Sequence, residues 1–174
     1  RLLESGEQVR TITTHLEKPN PFGNAVQAFP YSFDRPELLS SYLRGARVLY
    51  NTYWIRFEYG NLTFQKAVEN TKTLMACART AGIEKIVHIS VTCASPGSTL
   101  PYYAGKGLQE IAVVESGIPY AIVRPTLVFG AEDILVNNIA WLIRKFPAFP
   151  IFGTGNYRVQ PVFVEDLAKI AVLC

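Results

Sequence analysis

The sequence predicts an α/β fold with a doubly wound parallel sheet. Two features carry that expectation. Short runs rich in Val and Ile alternate with longer segments of helical periodicity, and glycines or prolines stand at most of the boundaries between them. The 174 residues are 49% hydrophobic and 18% charged, which is enough apolar material for a packed core and too much for a disordered chain.

Taken in order, Arg1-Leu2-Leu3-Glu4-Ser5-Gly6 reads as the last turn of a helix, so the natural N-terminus is expected upstream. Gln8 to Thr14 has the β-branched residues of a strand. Ala25 to Phe29 is a weaker strand candidate and Arg47 to Asn51 a stronger one. Between the last two, a helix from Pro36 to Leu43 begins behind Asp34, whose carboxylate can accept from unpaired first-turn amides, and stops at Gly45. A longer helix from Thr63 to Ala81 places Phe64, Ala67, Val68, Thr71, Leu74, Met75 and Ala78 on one stripe, with Gly82 as its stop. Lys85 to Ser90 is a buried strand, Pro101 to Ser116 a helix ended by Gly117, and Tyr120 to Val123 a strand running into Arg124-Pro125.

Beyond Gly130 the spacing predicts a helix from Asp133 to Phe146, then Pro147 and Pro150, a Gly153-Thr154-Gly155-Asn156 turn and a strand near Val159 to Val164. A last helix opens with Glu165 and Asp166, where carboxylates meet the positive end of its dipole. Residues 1–130 are expected to form the sheet-bearing domain and residues 131–174 a small lobe, packed as one unit with a cleft between them.

Composition excludes several function classes. The net charge of +3 comes from scattered Lys and Arg with no basic stripe, so no nucleic-acid partner is expected. No apolar run approaches the roughly 20 residues of a membrane span. Cys77, Cys93 and Cys174 have neither metal-ligand nor disulfide spacing; they read as reduced thiols of a cytoplasmic protein, and no metal site is expected. Cys93 lies in a loop beside the candidate site and is expected to be a bystander there.

The chemistry-bearing constellation is Tyr102 and Lys106, four positions apart at the start of a helix and hence on one face. An ammonium beside a phenol favours the phenolate and lowers the phenol's ordinary pKa of about 10, so the pair suits proton transfer. A third hydroxyl to hold a substrate carbonyl is sought where the preceding strand ends: Thr92 first, Ser90 second.

This order of elements, from Val9-Arg10-Thr11-Ile12 through the strand ending in hydroxyl residues, Tyr102-x-x-x-Lys106 and Arg124-Pro125-Thr126-Leu127-Val128-Phe129-Gly130 to Gln160-Pro161-Val162-Phe163-Val164-Glu165-Asp166, resembles the atypical or extended short-chain dehydrogenase/reductase family. Within it the chain looks most like the epimerase/dehydratase and NmrA-like members, and is similar to the NAD(P)-binding accessory subunit of respiratory complex I. The resemblance implies a Rossmann-like NAD(P)-binding domain with a substrate-side lobe. It makes Tyr102 the acid/base, Lys106 the ribose-binding and activating residue, and Thr92 or Ser90 the orienting hydroxyl. Arg124, Pro125, Thr126 and Val128 would lie beside the nicotinamide. The implied function is an NAD(P)-dependent oxidoreductase or epimerase/dehydratase acting on a small molecule; the alternative is a non-catalytic sensor or a subunit of a larger complex.

The sequence departs from the family pattern at several places. It has no glycine-rich dinucleotide turn, since it begins after the place that turn and the first strand would occupy. A central gap is therefore expected in the sheet, along with weak NADPH binding by these residues alone. Thr13, Thr14 and His15 offer no Asp for a ribose, and with Arg10 nearby the cofactor reading leans from NAD toward NADP, with Thr14 as a contact. Asp34 suits either adenine contact or helix capping. Asn51 and Thr52 suit polar contact with the cofactor, with bulky Tyr53 and Trp54 following where small residues are usual. Gly153-x-Gly155 reads as a plain turn, and Asn137, Asn138, Tyr157 and Arg158 of the lobe name no ligand.

Overall fold

A computed structural model describes residues 1–151, 153–156 and 158–174; Tyr157 therefore lies outside the described residues. In chain order the elements are β1 (Val9–Thr13), β2 (Val26–Pro30), α1 (Pro36–Leu43), β3 (Val48–Asn51), α2 (Phe64–Ala81), β4 (Lys85–Ile89), α3 (Pro101–Glu115), β5 (Tyr120–Val123), β6 (Leu127–Phe129), α4 (Ile134–Lys145), β7 (Pro161–Phe163) and α5 (Val164–Leu173). All the paired strands run parallel, with α2, α3 and α4 as the crossovers of the β3–β4, β4–β5 and β6–β7 pairs.

The strands form three separate groups: β1 with β2, then β3-β4-β5, then β6 with β7. β1 and β3 are not hydrogen-bonded to each other, so the expected interruption lies between them. The third group joins β6, just before Gly130, to β7 of the following segment. A β-carbon on Gly130 would stand 2.6 Å from Val164 Cγ1, so the glycine lets the start of α5 close onto that pair.

Local chemistry sets the helix ends. Thr63 accepts from the Lys66 amide at 3.0 Å and opens α2, and Gly82, at φ 79°, closes it in the left-handed conformation that glycine adopts at no steric cost. Asp133 opens α4 by accepting from the Val136 amide at 2.6 Å. The expected cap of α1 is not formed. Arg35 occupies the capping position with no side-chain bond, and the exposed Asp34 faces only Arg35, at 3.8 Å. Pro36, which has no amide hydrogen to satisfy, reduces the need for that cap.

The core lies where α1, α2 and α3 pack side by side. Leu39 and Leu43 from α1, Leu74, Met75 and Ala78 from α2, Ile86 from β4, and Ala112 and Val113 from α3 meet in one buried cluster. Each large aliphatic side chain buried there contributes about 1.5–3 kcal/mol of transfer free energy. A second cluster, built from Tyr53, Ile55 and Ala67 with Tyr31, Phe33, Trp54 and Phe64 packed against it, roofs the end of β3 and leads into the candidate site.

Candidate functional site

β3, β4 and β5 run parallel, so their carboxyl ends, where ligands bind in open α/β sheets, come together beside the start of α3. Tyr102 and Lys106 sit there on adjacent turns of α3. Two glycines flank the lysine and explain how closely the surroundings approach. A β-carbon on Gly105 would meet Trp54 Cη2 at 2.5 Å, and one on Gly107 would meet the Pro96 backbone nitrogen at 2.3 Å. The loop after β3 and the loop after β4 thus both close directly onto the α3 backbone.

Lys106 is 3% exposed. Its Nζ donates to the Ile89 carbonyl at 3.1 Å and lies 5.2 Å from the Trp54 ring. Burial pulls its pKa down to about 8, against the opposing charge of Glu110. Tyr102 is half-buried and edge-on to Trp54 (5.9 Å), Phe64 (5.9 Å) and Tyr103 (5.3 Å). Burial raises its pKa, assisted by Tyr103, and the cation that opposes this is Arg56. The cation acting on Tyr102 in this arrangement is thus Arg56, not Lys106. The spacing brings both side chains to the Trp54 ring, but the ammonium is spent on a backbone carbonyl and the phenol stays neutral.

Ser90 donates to Glu110 Oε1 at 2.5 Å, and the same carboxylate receives Arg124 Nε at 2.9 Å and Nη2 at 2.6 Å. Burial would raise the Glu110 pKa, but these hydrogen bonds and the Arg124 charge outweigh it and hold the carboxylate below its ordinary range. Neither Ser90 nor Arg124 is thus an uncommitted group. Thr92 is available: it is half-buried, its amide donates to Pro125 O at 2.9 Å, and it lines an open cleft of about 470 Å³ with Thr126, Leu127, Arg158, Val159 and Gln160. Thr126 Oγ1 is bonded to the Gln160 carbonyl, and Val128 pairs with Val162 in the β6–β7 ladder. Cys93, with φ at 59°, is exposed, its Sγ 3.8 Å from Thr92 Oγ1.

Asn51 is turned inward. Its Nδ2 lies 3.0 Å from His88 Nδ1 and its Oδ1 accepts from the Tyr53 amide at 3.1 Å, while Thr52 is exposed at the strand end. His88 is fully buried; desolvation, aided by the Lys106 charge, lowers its pKa to about 4. The neutral ring accepts from Asn51 at Nδ1, which puts its proton on Nε2. Gln109, also fully buried, donates to Tyr53 O at 2.9 Å and Thr71 Oγ1 at 2.6 Å. Sequence reasoning missed this polar layer of Asn51, His88, Gln109 and Glu110. Its signal was present: Lys106, Gln109, Glu110 and Val113 share the core-facing stripe of α3, where charged and amide side chains need partners.

Thr14 is exposed at the end of β1, and Asp34 is exposed beyond β2. Arg10 Nη1 donates to the Tyr42 and Arg44 carbonyls at 3.2 and 2.9 Å, and His15 pairs with Glu17 at 3.1 Å. The two basic residues that suggested NADP are thus both engaged, one by carbonyls and one by a carboxylate. For the nicotinamide end of a dinucleotide, the residues fit in part. The Tyr102 hydroxyl has no hydrogen-bond partner among the described residues, and Thr52 and Thr92 are accessible, whereas Lys106 would have to share or leave Ile89. Among the described residues there is no cluster of metal ligands, and no helix is long and apolar enough to cross a membrane.

The model of the NAD dependent epimerase/dehydratase family matches residues 48–174. The chain belongs to that family. Its curated relatives include the mitochondrial NADH dehydrogenase [ubiquinone] 1 alpha subcomplex subunit 9 of Arabidopsis thaliana, 27% identical over 154 residues, covering 86% of this chain and 38% of the relative. The same subunit of Mus musculus is 34% identical over 127 residues, covering 71% of this chain and 33% of the relative. The chain thus spans about a third of the length of these relatives.

Among solved structures, a dTDP-glucose 4,6-dehydratase of Streptomyces venezuelae with NAD bound superposes with a TM-score of 0.77 at 19% identity, over 99% of this chain and 66% of that one. A Bordetella bronchiseptica enzyme in complex with NAD+ gives 0.75 at 17% identity, over 99% and 65%. A Citrobacter triphenylmethane reductase with NADP(H) gives 0.55 at 20% identity, over 69% and 40%. The family and these neighbours support a Rossmann-type fold; the lean toward NADP finds no support, since the family is NAD dependent and two of these neighbours hold NAD, while Arg10 and His15 are both engaged.

Proposed function

We propose that this chain holds NAD(H) as a resident ligand of a larger assembly and does not turn it over. The observation that carries this reading is the sequestration of Lys106. Its Nζ is committed to the Ile89 carbonyl beneath Trp54, and Tyr102 keeps a raised pKa with no lysine ammonium acting on it. A phenol in that state donates a hydrogen bond well and gives up its proton poorly at neutral pH. Tyr102, Thr52 and Thr92 would contact the nicotinamide half, Lys106 would offer the adjoining ribose the donors it does not give to Ile89, and the peptide from Pro125 to Thr126 would flank it. A nicotinamide supplies hydride chemistry when bound; these residues supply orientation without a matched proton donor. The curated relatives, named as subunits of NADH dehydrogenase, support the assembly role.

A second reading is turnover as an NAD-dependent oxidoreductase or epimerase/dehydratase, with Tyr102 as proton carrier and Thr92 orienting a substrate. It is favoured by the cleft that joins Thr92 to Arg158, where a cation from the lobe faces the site. NADH and NADPH titrations of the full-length protein by fluorescence, followed by assays of wild type and Tyr102→Phe on carbonyl compounds and nucleotide sugars, separate the two. Tight NADH binding without Tyr102-dependent turnover is expected; turnover abolished by Tyr102→Phe establishes the second reading.

A further inference from the structure

Two successive turns of α3 grip two successive residues at the end of β4. Lys106 donates to the Ile89 carbonyl at 3.1 Å, and Glu110 accepts from the Ser90 hydroxyl at 2.5 Å. Both side chains are nearly enclosed, their residues 3% and 8% exposed, whereas the Arg124 side chain that forks onto Glu110 from the end of β5 is 56% exposed. We infer that Glu110 is a positioning residue that keeps Lys106 charged in its buried site, and that Arg124 sets how strongly it does so.

The argument is electrostatic and geometric. Glu110 follows Lys106 by one helical turn, a separation of about 5–6 Å between β-carbons, so the two act on each other through the interior without forming a direct ion pair. Three hydrogen bonds from Ser90 and Arg124 immobilise the carboxylate, so it cannot swing away or take up a proton at neutral pH. The other groups around Lys106 do not substitute for it. His88 from β4 is neutral, Trp54 from the loop after β3 offers only a ring face, and Tyr102 from α3 itself is an un-ionised phenol. Arg124 neutralises part of the Glu110 charge, and it is the solvent-exposed member of the group.

This coupling bears on the proposed function because a ribose held by Lys106 needs its ammonium, but it is measurable without any ligand. The test is an NMR titration of isotope-labelled lysine side chains in the full-length protein, with the Lys106 signal assigned by its loss in Lys106→Met. Glu110→Gln is expected to lower the Lys106 midpoint by about one pH unit. Arg124→Gln is expected to raise it, because the carboxylate loses its neutralising partner, and Arg124→Lys, which keeps the charge, to restore it. A packing role alone would hydrate Lys106 and move both variants upward. That result, or an unmoved midpoint, overturns the inference. Where Glu110→Gln fails to fold, the Arg124 pair decides: a midpoint that stays raised in Arg124→Lys overturns it too. NADH affinity measured on the same wild-type protein tests the functional reading separately, since its absence would remove that reading and leave the predicted shifts intact.

Discussion

Trp54 stands so close to Gly105 that a β-carbon on the glycine would lie 2.5 Å from the indole Cη2. The same indole meets both Lys106, 5.2 Å from its ring centre, and Tyr102, 5.9 Å away in a T-shaped contact. One aromatic ring from the loop after β3 therefore governs how the two residues of the helical pair relate. Its buried Nε1 has no hydrogen-bond partner among the described residues, so its pose is held by packing alone.

Gly105→Ala is accordingly expected to destabilise the protein by about 1–3 kcal/mol through overpacking, even though alanine favours a helix over glycine by about 1 kcal/mol. Urea denaturation measures the loss, and Trp54→Leu in the same chain should recover most of it. A neutral or stabilising Gly105→Ala would show that Trp54 is not seated there.

Helix capping separates two side chains that look alike in the sequence. Thr63→Ala should cost about 1 kcal/mol, since Thr63 accepts from the Lys66 amide. Asp34→Ala should change stability by less than about 0.5 kcal/mol, since Asp34 caps nothing. Equal losses in thermal unfolding would contradict the assigned start of α1.

The elements of the middle of the chain were legible because their signals are local. Helical periodicity and a stop glycine bracket α2 and α3, and apolar runs mark β4 and β5 to within a residue or so. The interruption between β1 and β3 was legible from family order. The site was only half legible: spacing put Tyr102 and Lys106 on one face, but not the Trp54 ring that meets both. That ring's place depends on the missing side chain at Gly105, which is a tertiary fact. Arg124 was singled out as a cofactor contact, yet its fork belongs to Glu110, fourteen residues earlier.

Acid stability should report on His88. Its folded pKa of about 4 lies below the ordinary 6.5, so the unfolded chain binds the extra proton between those values. Stability is thus fully present above pH 6.5 and is lost as pH falls toward 4, by on the order of 3 kcal/mol. His88→Gln should flatten that part of the urea-denaturation profile; an unchanged slope would show that His88 does not carry it.

Lys106 should show the opposite balance between stability and function. Its folded pKa of about 8 lies below the ordinary 10.5, so burying its charge penalises the fold below pH 8 and the penalty lifts as pH rises toward 10.5. Lys106→Met should therefore leave stability at neutral pH unchanged or raise it by about 1 kcal/mol, while NADH affinity of the full-length protein falls about tenfold or more. A large loss of stability would mean that the bond to Ile89 outweighs the cost of burial.

The measurement that bears most directly on the proposed function is the fate of NADH bound to the full-length protein when carbonyl compounds and nucleotide sugars are added. The reduced nicotinamide's near-ultraviolet absorbance should persist, equally in wild type and in Tyr102→Phe. Oxidation of bound NADH by wild type, lost in Tyr102→Phe, would contradict a resident, non-reacting cofactor and make Tyr102 a catalytic acid.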